Sequence, residues 1–333
     1  MIYKDRIYGK IKIENPLVLE LIKSPSLQRL KDIDQVGFLP VFEKILSQKI
    51  KKLTRFEHSL GVFILLRKFK ASFEEQIAGL LHDVSHSVFS HAIDYVVDEG
   101  SEKDQSFQDK ILKSFIKNSE IPSIFKKYNL NLDYILEKEN FPLLEKDLPD
   151  LCADRIDYSL RSAVCNGVIL KKEVKYFLKN LSVYNNLWVF KNFQSAKKYA
   201  KLFYFLNKVY YSGFATAVMF KTISDVMKYC LKEGYLKRKD LFATDKEVLN
   251  KIKLKVKKDK KLKLLFERMK GKVKVKNDPK NYDAIIFCKS RIVDPYFKVK
   301  NEIKKLSEVD KNWARIVRKE LQPKKYFLKF EPL

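Results

Sequence analysis

All four histidines of this chain, His58, His82, His86 and His91, fall between Arg55 and Asp94. A supply this small and this concentrated points to a site. His82 is followed at once by Asp83, so an imidazole and a carboxylate leave the backbone side by side, a chelating arrangement for a borderline or hard divalent cation. His86 is expected one helical turn on, on the same face. Any one of these histidines alone reads as a satisfied polar group near a core, but the four together beside Asp83 read as ligands and proton carriers. A third segment adds a carboxylate, because Asp154, Tyr158 and Arg161 share one helical face at i, i+4 and i+7. The candidate ligands are therefore His58, His82, Asp83 and Asp154. Such a set suits one divalent ion, Mn, Fe, Zn, Co, Ni or Mg, without choosing among them. With open coordination positions it would polarise a phosphoryl oxygen and lower the pKa of water, as hydrolysis of a phosphate ester requires. His86 and His91 are candidate general acids or bases near neutral pH, with Asp94 close enough in sequence to orient one of them.

The elements that must position these residues are mostly helical. FEHSLGVFILLRKF and EEQIAGLLHDVSH each carry a strongly apolar helical face and are expected to be core helices. LLEKDLPDLCADRIDYSLRSAV reads as one further buried helix bearing acidic groups. Before them, residues 1–15 alternate as a short hairpin, and residues 16–36 read as two helices broken at Ser24-Pro25, where serine can cap and proline can occupy the first position. Residues 37–54 are expected to contain a loop. After them, LWVF at 187–190 reads as a strand and SAKKYAKLFYFLNKVYYSGFATAVMFKTISDVMKY as one long helix whose aromatic stripe is core. Residues 282–330 read as strands around a helix at 306–320. The fold class is mostly α, with a main domain over 1–235 and a basic α+β region over 236–333 packed on it.

Composition narrows the class. The 333 residues are 46% hydrophobic, ample for a buried core, and the formal charge is +27. That excess favours polyanions such as nucleotides, nucleic acid or acidic membrane surfaces, and the lysine-rich stretch 250–280 is a candidate nucleic-acid contact set against the plainer reading of a solvated surface. Arginine is scarce, yet Arg55 and Arg155 sit beside the candidate ligands, where a planar fork can grip phosphate oxygens. No apolar run is long enough for a membrane span and no secretory leader is evident, so the expected location is the cytoplasm. The four cysteines show no CxxC spacing and read as reduced, buried thiols. There is no P-loop and no GxGxxG.

RFEHSLGV at 55–62, AGLLHDVSHSVFSHAID at 78–94 and ADRIDYSLR at 153–161 resemble the HD-domain phosphohydrolases, and within them the deoxynucleoside-triphosphate triphosphohydrolase branch. IYGKI near the start, SLQRLKDIDQVG at 26–37 and KSRIVDP at 289–295 extend the resemblance over nearly the whole chain. It implies a helical HD core, one metal on His58, His82, Asp83 and Asp154, and release of inorganic triphosphate from a nucleotide. It also implies that Arg55 and Arg155 hold phosphates, that Gln35 and Tyr158 approach the sugar, and that Lys197 stands where the family has a phosphate-binding arginine. A His-Glu pair that the family carries after the HD helix is replaced by Asp104-Gln105, removing one catalytic imidazole.

The leading expectation is thus a metal-dependent, dNTP-hydrolysing enzyme, expected as a homo-oligomer. Two alternatives stand beside it. One keeps the metal and changes the substrate to other nucleotides or single-stranded nucleic acid. The other is a nucleotide or nucleic-acid binding protein with little turnover.

Overall fold

The computed structural model describes residues 1–300 and 302–331. Its centre is the helix Arg55–Lys68, buried on nearly every side through Phe56, Leu60, Val62, Phe63, Ile64, Leu65 and Leu66. Its start is fixed by a reciprocal cap: the Glu57 N–H donates to Thr54 Oγ1 at 3.2 Å and the Thr54 N–H donates to Glu57 Oε2 at 3.2 Å. The helices Phe73–Leu81 and Ala153–Cys165 pack against it, so three sequence segments meet at one place. The mostly helical class is as the sequence led us to expect.

The N-terminal hairpin pairs Ile2–Asp5 with Gly9–Lys12. Ser24 caps the second of the next two helices, accepting from the Leu27 N–H at 3.4 Å. On the far side of the core, the hairpin Leu181–Tyr184 and Leu187–Phe190 continues into Tyr296–Val299 and Glu302–Lys305 as one four-stranded sheet, with Val189 opposite Tyr296 in a parallel pairing. A three-stranded sheet places Lys324–Phe330 between Val275–Asn277 and Ala284–Cys288. The boundary expected after residue 235 falls between Phe214–Lys232 and the short turn of helix Arg238–Phe242, and the shared sheet joins the chain across it.

Four local expectations are corrected. Residues 37–54 hold, ahead of the expected loop at 47–53, the unexpected helix Leu39–Leu46 with Pro40 in its first turn. The buried helix expected from Leu143 begins only at Ala153: Pro149 offers no N–H and disfavours helical geometry at Leu148. The long aromatic helix is two, Phe193–Leu206 and Phe214–Lys232, joined by a π turn over Asn207–Tyr211 and the break at Ser212-Gly213. A Cβ at Gly213 would stand 2.6 Å from the carbonyl oxygens of Lys208 and Val209, so the bend requires glycine. The fourth correction concerns the HD helix, which ends at Leu81, so His86 comes from the following turns.

The basic stretch forms the helices Asp245–Val256 and Lys260–Met269, which bury Val248, Ile252, Leu262, Phe266 and Met269 and leave most of their lysines exposed. No described helix is long and apolar enough to cross a membrane. All four cysteines are free and buried.

Candidate metal centre and substrate cavity

His58 lies one turn into its helix with its ring wholly buried, and each nitrogen has a carboxylate partner: Nδ1 to Asp157 Oδ2 and Nε2 to Asp154 Oδ1, both 2.8 Å. His82 occupies the C-cap of Phe73–Leu81. Its Nδ1 lies 2.8 Å from the Gly79 carbonyl oxygen, which fixes Nδ1 as the donor and turns Nε2 toward His58 Nε2 at 3.3 Å. His82 Nε2 stands 3.6 Å from Asp154 Oδ1 and 3.5 Å from Asp83 Oδ1, and His58 Nε2 stands 3.8 Å from Asp83 Oδ2. Ligands about 2.1 Å from a common ion stand roughly 3.0–3.4 Å apart. These separations therefore fit a small divalent cation, with His58, His82 and Asp154 the tighter group and Asp83 slightly outside it.

The donor chemistry agrees. Burial alone would lower the His82 pKa, but Asp83 and Asp154 overcome it and push it up to about 10. Burial would likewise raise Asp154, yet His58 and His82 hold it far below the carboxylate range. The cluster demands positive charge, which a cation supplies in place of protons.

Sequence reading missed the support behind His58. Burial raises the Asp157 carboxyl, but Arg161 and His58 outweigh it and keep it below its ordinary value. Arg161 donates to both Asp157 oxygens at 2.9 Å and contacts Asp5 Oδ2 at 3.0 Å, with all three side chains buried. Arg161 thus lies behind the site and does not share the cavity face with Asp154 and Tyr158. A metal-binding imidazole whose other nitrogen is held by a carboxylate has its tautomer and orientation fixed. The i, i+4 spacing of Asp157 and Arg161 was the available signal.

Asp83 is clamped from its other side by Arg55, whose Nη1 donates to Oδ2 at 2.9 Å, and by His86, whose Nε2 lies 3.1 Å from Oδ1. Arg55 Nε donates to Ser90 Oγ at 2.9 Å, so this guanidinium also braces the wall of the cavity that it lines. Burial, then Arg55, pushes His86 down to about 4 and holds His91 well below its ordinary value, leaving both rings neutral at pH 7. Their rings meet edge to face at 5.1 Å, and both Nδ1 atoms are buried with no hydrogen-bond partner among the described residues. Asp94 does not orient His91 by a hydrogen bond, since the gap is 3.6 Å; its Oδ1 instead accepts the Phe107 N–H at 3.0 Å.

The turn carrying these histidines passes through left-handed conformations at Phe89 and Ser90. Asp245 holds it, accepting the Phe89 N–H and the Asp34 N–H at 2.8 Å each, while Ser90 Oγ donates to the Asp34 carbonyl at 2.6 Å.

The cluster opens into a cavity of about 180 Å³, lined by Gln35, Arg55, His82, Asp83, His86, His91, Asp154, Arg155 and Tyr158 among others. Arg155 Nη1 donates to the Asp150 carbonyl and Cys152 Sγ at 3.1 Å. Lys197 is not brought there: its ammonium pairs with Asp310 at 2.9 Å, at the start of the C-terminal helix. In its place the KSRIVDP segment delivers Lys289 and Arg291 to the lining. Burial, then Arg291, lowers the Lys289 pKa to about 8. Arg291 is aimed by Gln105, whose Oε1 accepts from Nη2 at 2.8 Å, and by Asn207, whose Oδ1 accepts the Arg291 N–H at 2.8 Å. Gln105 thus lines the cavity while Asp104 faces outward, and Gln108 and Asp109 of the next helix add further polar lining.

A family model described as "HD domain" matches residues 55–161, the span from Arg55 to Arg161 that holds the cluster and its support. An uncharacterized protein of Bacillus subtilis, YdhJ, is 35% identical over 87% of this chain and 86% of its own length. The chain belongs to the HD-domain superfamily of metal-dependent phosphohydrolases. Among its relatives, the metal-dependent phosphohydrolase cns2 of Cordyceps militaris is 35% identical over 55% of this chain and 51% of its own. The deoxynucleoside triphosphate triphosphohydrolase SAMHD1 of Danio rerio is 34% identical over 28% of this chain and 16% of its own. The chain thus spans about half of cns2 and a small part of SAMHD1. A hypothetical protein of Aquifex aeolicus shares the fold at TM-score 0.72 and 20% identity, over 99% of this chain and 96% of its own.

Proposed function

We propose that this HD-domain hydrolase acts on deoxynucleoside triphosphates, releasing triphosphate and the deoxynucleoside. The observation that carries the reading is one cavity with the His58, His82 and Asp154 cluster, three cations, Arg155, Lys289 and Arg291, and aromatic walls. The partial likeness to the SAMHD1 triphosphohydrolases supports the same substrate class. His58, His82, Asp83 and Asp154 would hold one divalent metal, which when bound supplies polarisation of a phosphoryl oxygen and activation of water.

The chain's own residues do the rest. Gly79 and Asp157 keep the Nε2 atoms of His82 and His58 available as donors to the ion. Arg155, Lys289 and Arg291 neutralise the triphosphate. Water attacks the α-phosphorus, the bond from that phosphorus to the 5′ oxygen breaks, and the 5′ oxygen takes a proton. His86 and His91, neutral at pH 7, are the imidazoles able to accept the proton from water and return one to the leaving oxygen.

The test is Asp83→Ala and Asp154→Ala, measured for bound metal by elemental analysis and for dNTP hydrolysis, with circular dichroism to confirm folding. Both variants should lose metal and activity together. Full metal occupancy with parental hydrolysis would overturn the assignment.

A further inference from the structure

The helix Ala153–Cys165 runs along the cavity from the metal cluster to the far end. Asp154 sits in its first turn, Tyr158 and Ser162 follow at intervals of four residues, and Asn166 is its C-cap; all four line the cavity. At 1.5 Å per residue, Asn166 lies about 18 Å along the helix axis from Asp154, a span comparable to an extended nucleoside triphosphate. The far end has a different character. The Asn166 carbonyl accepts from Gln48 Nε2 at 2.9 Å, and Gln48 Oε1 accepts from the Tyr210 hydroxyl at 3.3 Å. The Tyr210 ring in turn meets that of Phe42 at 6.3 Å, and both rings belong to the lining.

Asn166 has its backbone tied on both sides, because its N–H also donates to the Ser162 carbonyl at 2.9 Å. Its side chain is not tied. The residue is 9% exposed, and among the described residues no donor reaches its buried Oδ1. A buried carboxamide without a partner loses the free energy of its missing hydrogen bonds, so its retention in the lining of the cavity calls for a ligand that pairs with it.

We propose that Asn166 reads the nucleobase and is a specificity-determining residue of this enzyme. This rests on the nucleotide-hydrolase reading above. A carboxamide offers one acceptor and two donors in a plane, matching a base edge that presents a donor beside an acceptor. Phe42 and Tyr210 provide the apolar and aromatic walls for the base. The metal cluster and the phosphate-facing cations are indifferent to base identity, so discrimination falls to the far end.

The experiment compares kcat/KM for dATP, dGTP, dCTP, dTTP and an abasic deoxyribose triphosphate in the parent, Asn166→Ala and Asn166→Asp. Asn166→Ala should change the ratio between the best and worst base by about 5- to 150-fold, the range for one bidentate base contact, and leave the abasic compound unchanged. Asn166→Asp, nearly isosteric, should reorder the bases because a donor becomes an acceptor; it also covers the case in which alanine unfolds the protein. An equal loss for all four bases and the abasic compound would overturn the role of Asn166 while leaving the nucleotide reading intact. If the parent binds nucleotides without turnover, calorimetric affinities must show the same change of ratio. A parent that neither binds nor hydrolyses any of them would overturn both.

Discussion

Gly61→Ala tests the buried support behind the metal cluster. On propensity alone the change stabilises the middle of the helix Arg55–Lys68, by about 1 kcal/mol. The surroundings oppose it. A Cβ at Gly61 would fall inside the van der Waals radii of Arg161 Nη2 and Asp157 Oδ1 and 2.7 Å from Asp157 Cγ. Both side chains are fully buried and carry each other's charge, so neither can swing into solvent. Breaking a buried pair of this kind costs about 3–5 kcal/mol, so the net loss is roughly 2–4 kcal/mol after the helix gain. Asp157 is also the partner of His58 Nδ1, and loss of such a partner lowers metal affinity about 10- to 100-fold. Urea unfolding followed by circular dichroism reads the first effect, and calorimetric metal titration of the folded variant reads the second. A Gly61→Ala protein as stable as the parent, with unchanged metal affinity, would refute the reasoning.

Two further predictions concern the substrate and the pH response. Lys289→Ala and Arg291→Ala should each raise the KM for a dNTP, whereas Lys197→Ala should leave it unchanged because Lys197 is paired with Asp310 away from the cavity; steady-state kinetics on the three variants decides this, and the reverse pattern would restore the expectation from sequence. Asp245 is buried and pushed up to about 7, chiefly by burial, so the folded state holds its proton more tightly than the unfolded chain. Its contribution to stability therefore falls as pH rises from about 4 through 7. Asp245→Asn should show a stability deficit that is larger at pH 5 than at pH 8, read from urea midpoints; a deficit independent of pH would show that Asp245 titrates normally.

The His/Asp cluster was legible because chemistry concentrates it: four histidines within one short stretch, an adjacent His82-Asp83, and Asp154 at the start of an amphipathic helix. What escaped was long-range. Lys289 and Arg291 reach the cavity from beyond residue 280, Arg291 held by Asn207 in a π turn and by Gln105, Lys289 by the Asp104 carbonyl, and no local pattern reports such partners. Lys197 was placed by its position in a motif, but Asp310, more than a hundred residues on, claims it. In the fold, the short helix Leu39–Leu46 was hidden by the proline that opens it, and the helix expected through Pro149 was a period read across a residue that cannot donate. Arg55 shows the same limit in the site. Its type and place suggest phosphate, and its further bonds to Asp83 and Ser90 are visible only in the packing.

The most direct test of the central claim is phosphorus NMR of the products formed from a dNTP by the metal-loaded parent protein, repeated after chelation. The account predicts tripolyphosphate as the sole phosphorus product, appearing with an equal amount of deoxynucleoside, and no reaction once the metal is removed. Orthophosphate or pyrophosphate as the first product, or turnover that persists in chelator, would contradict it.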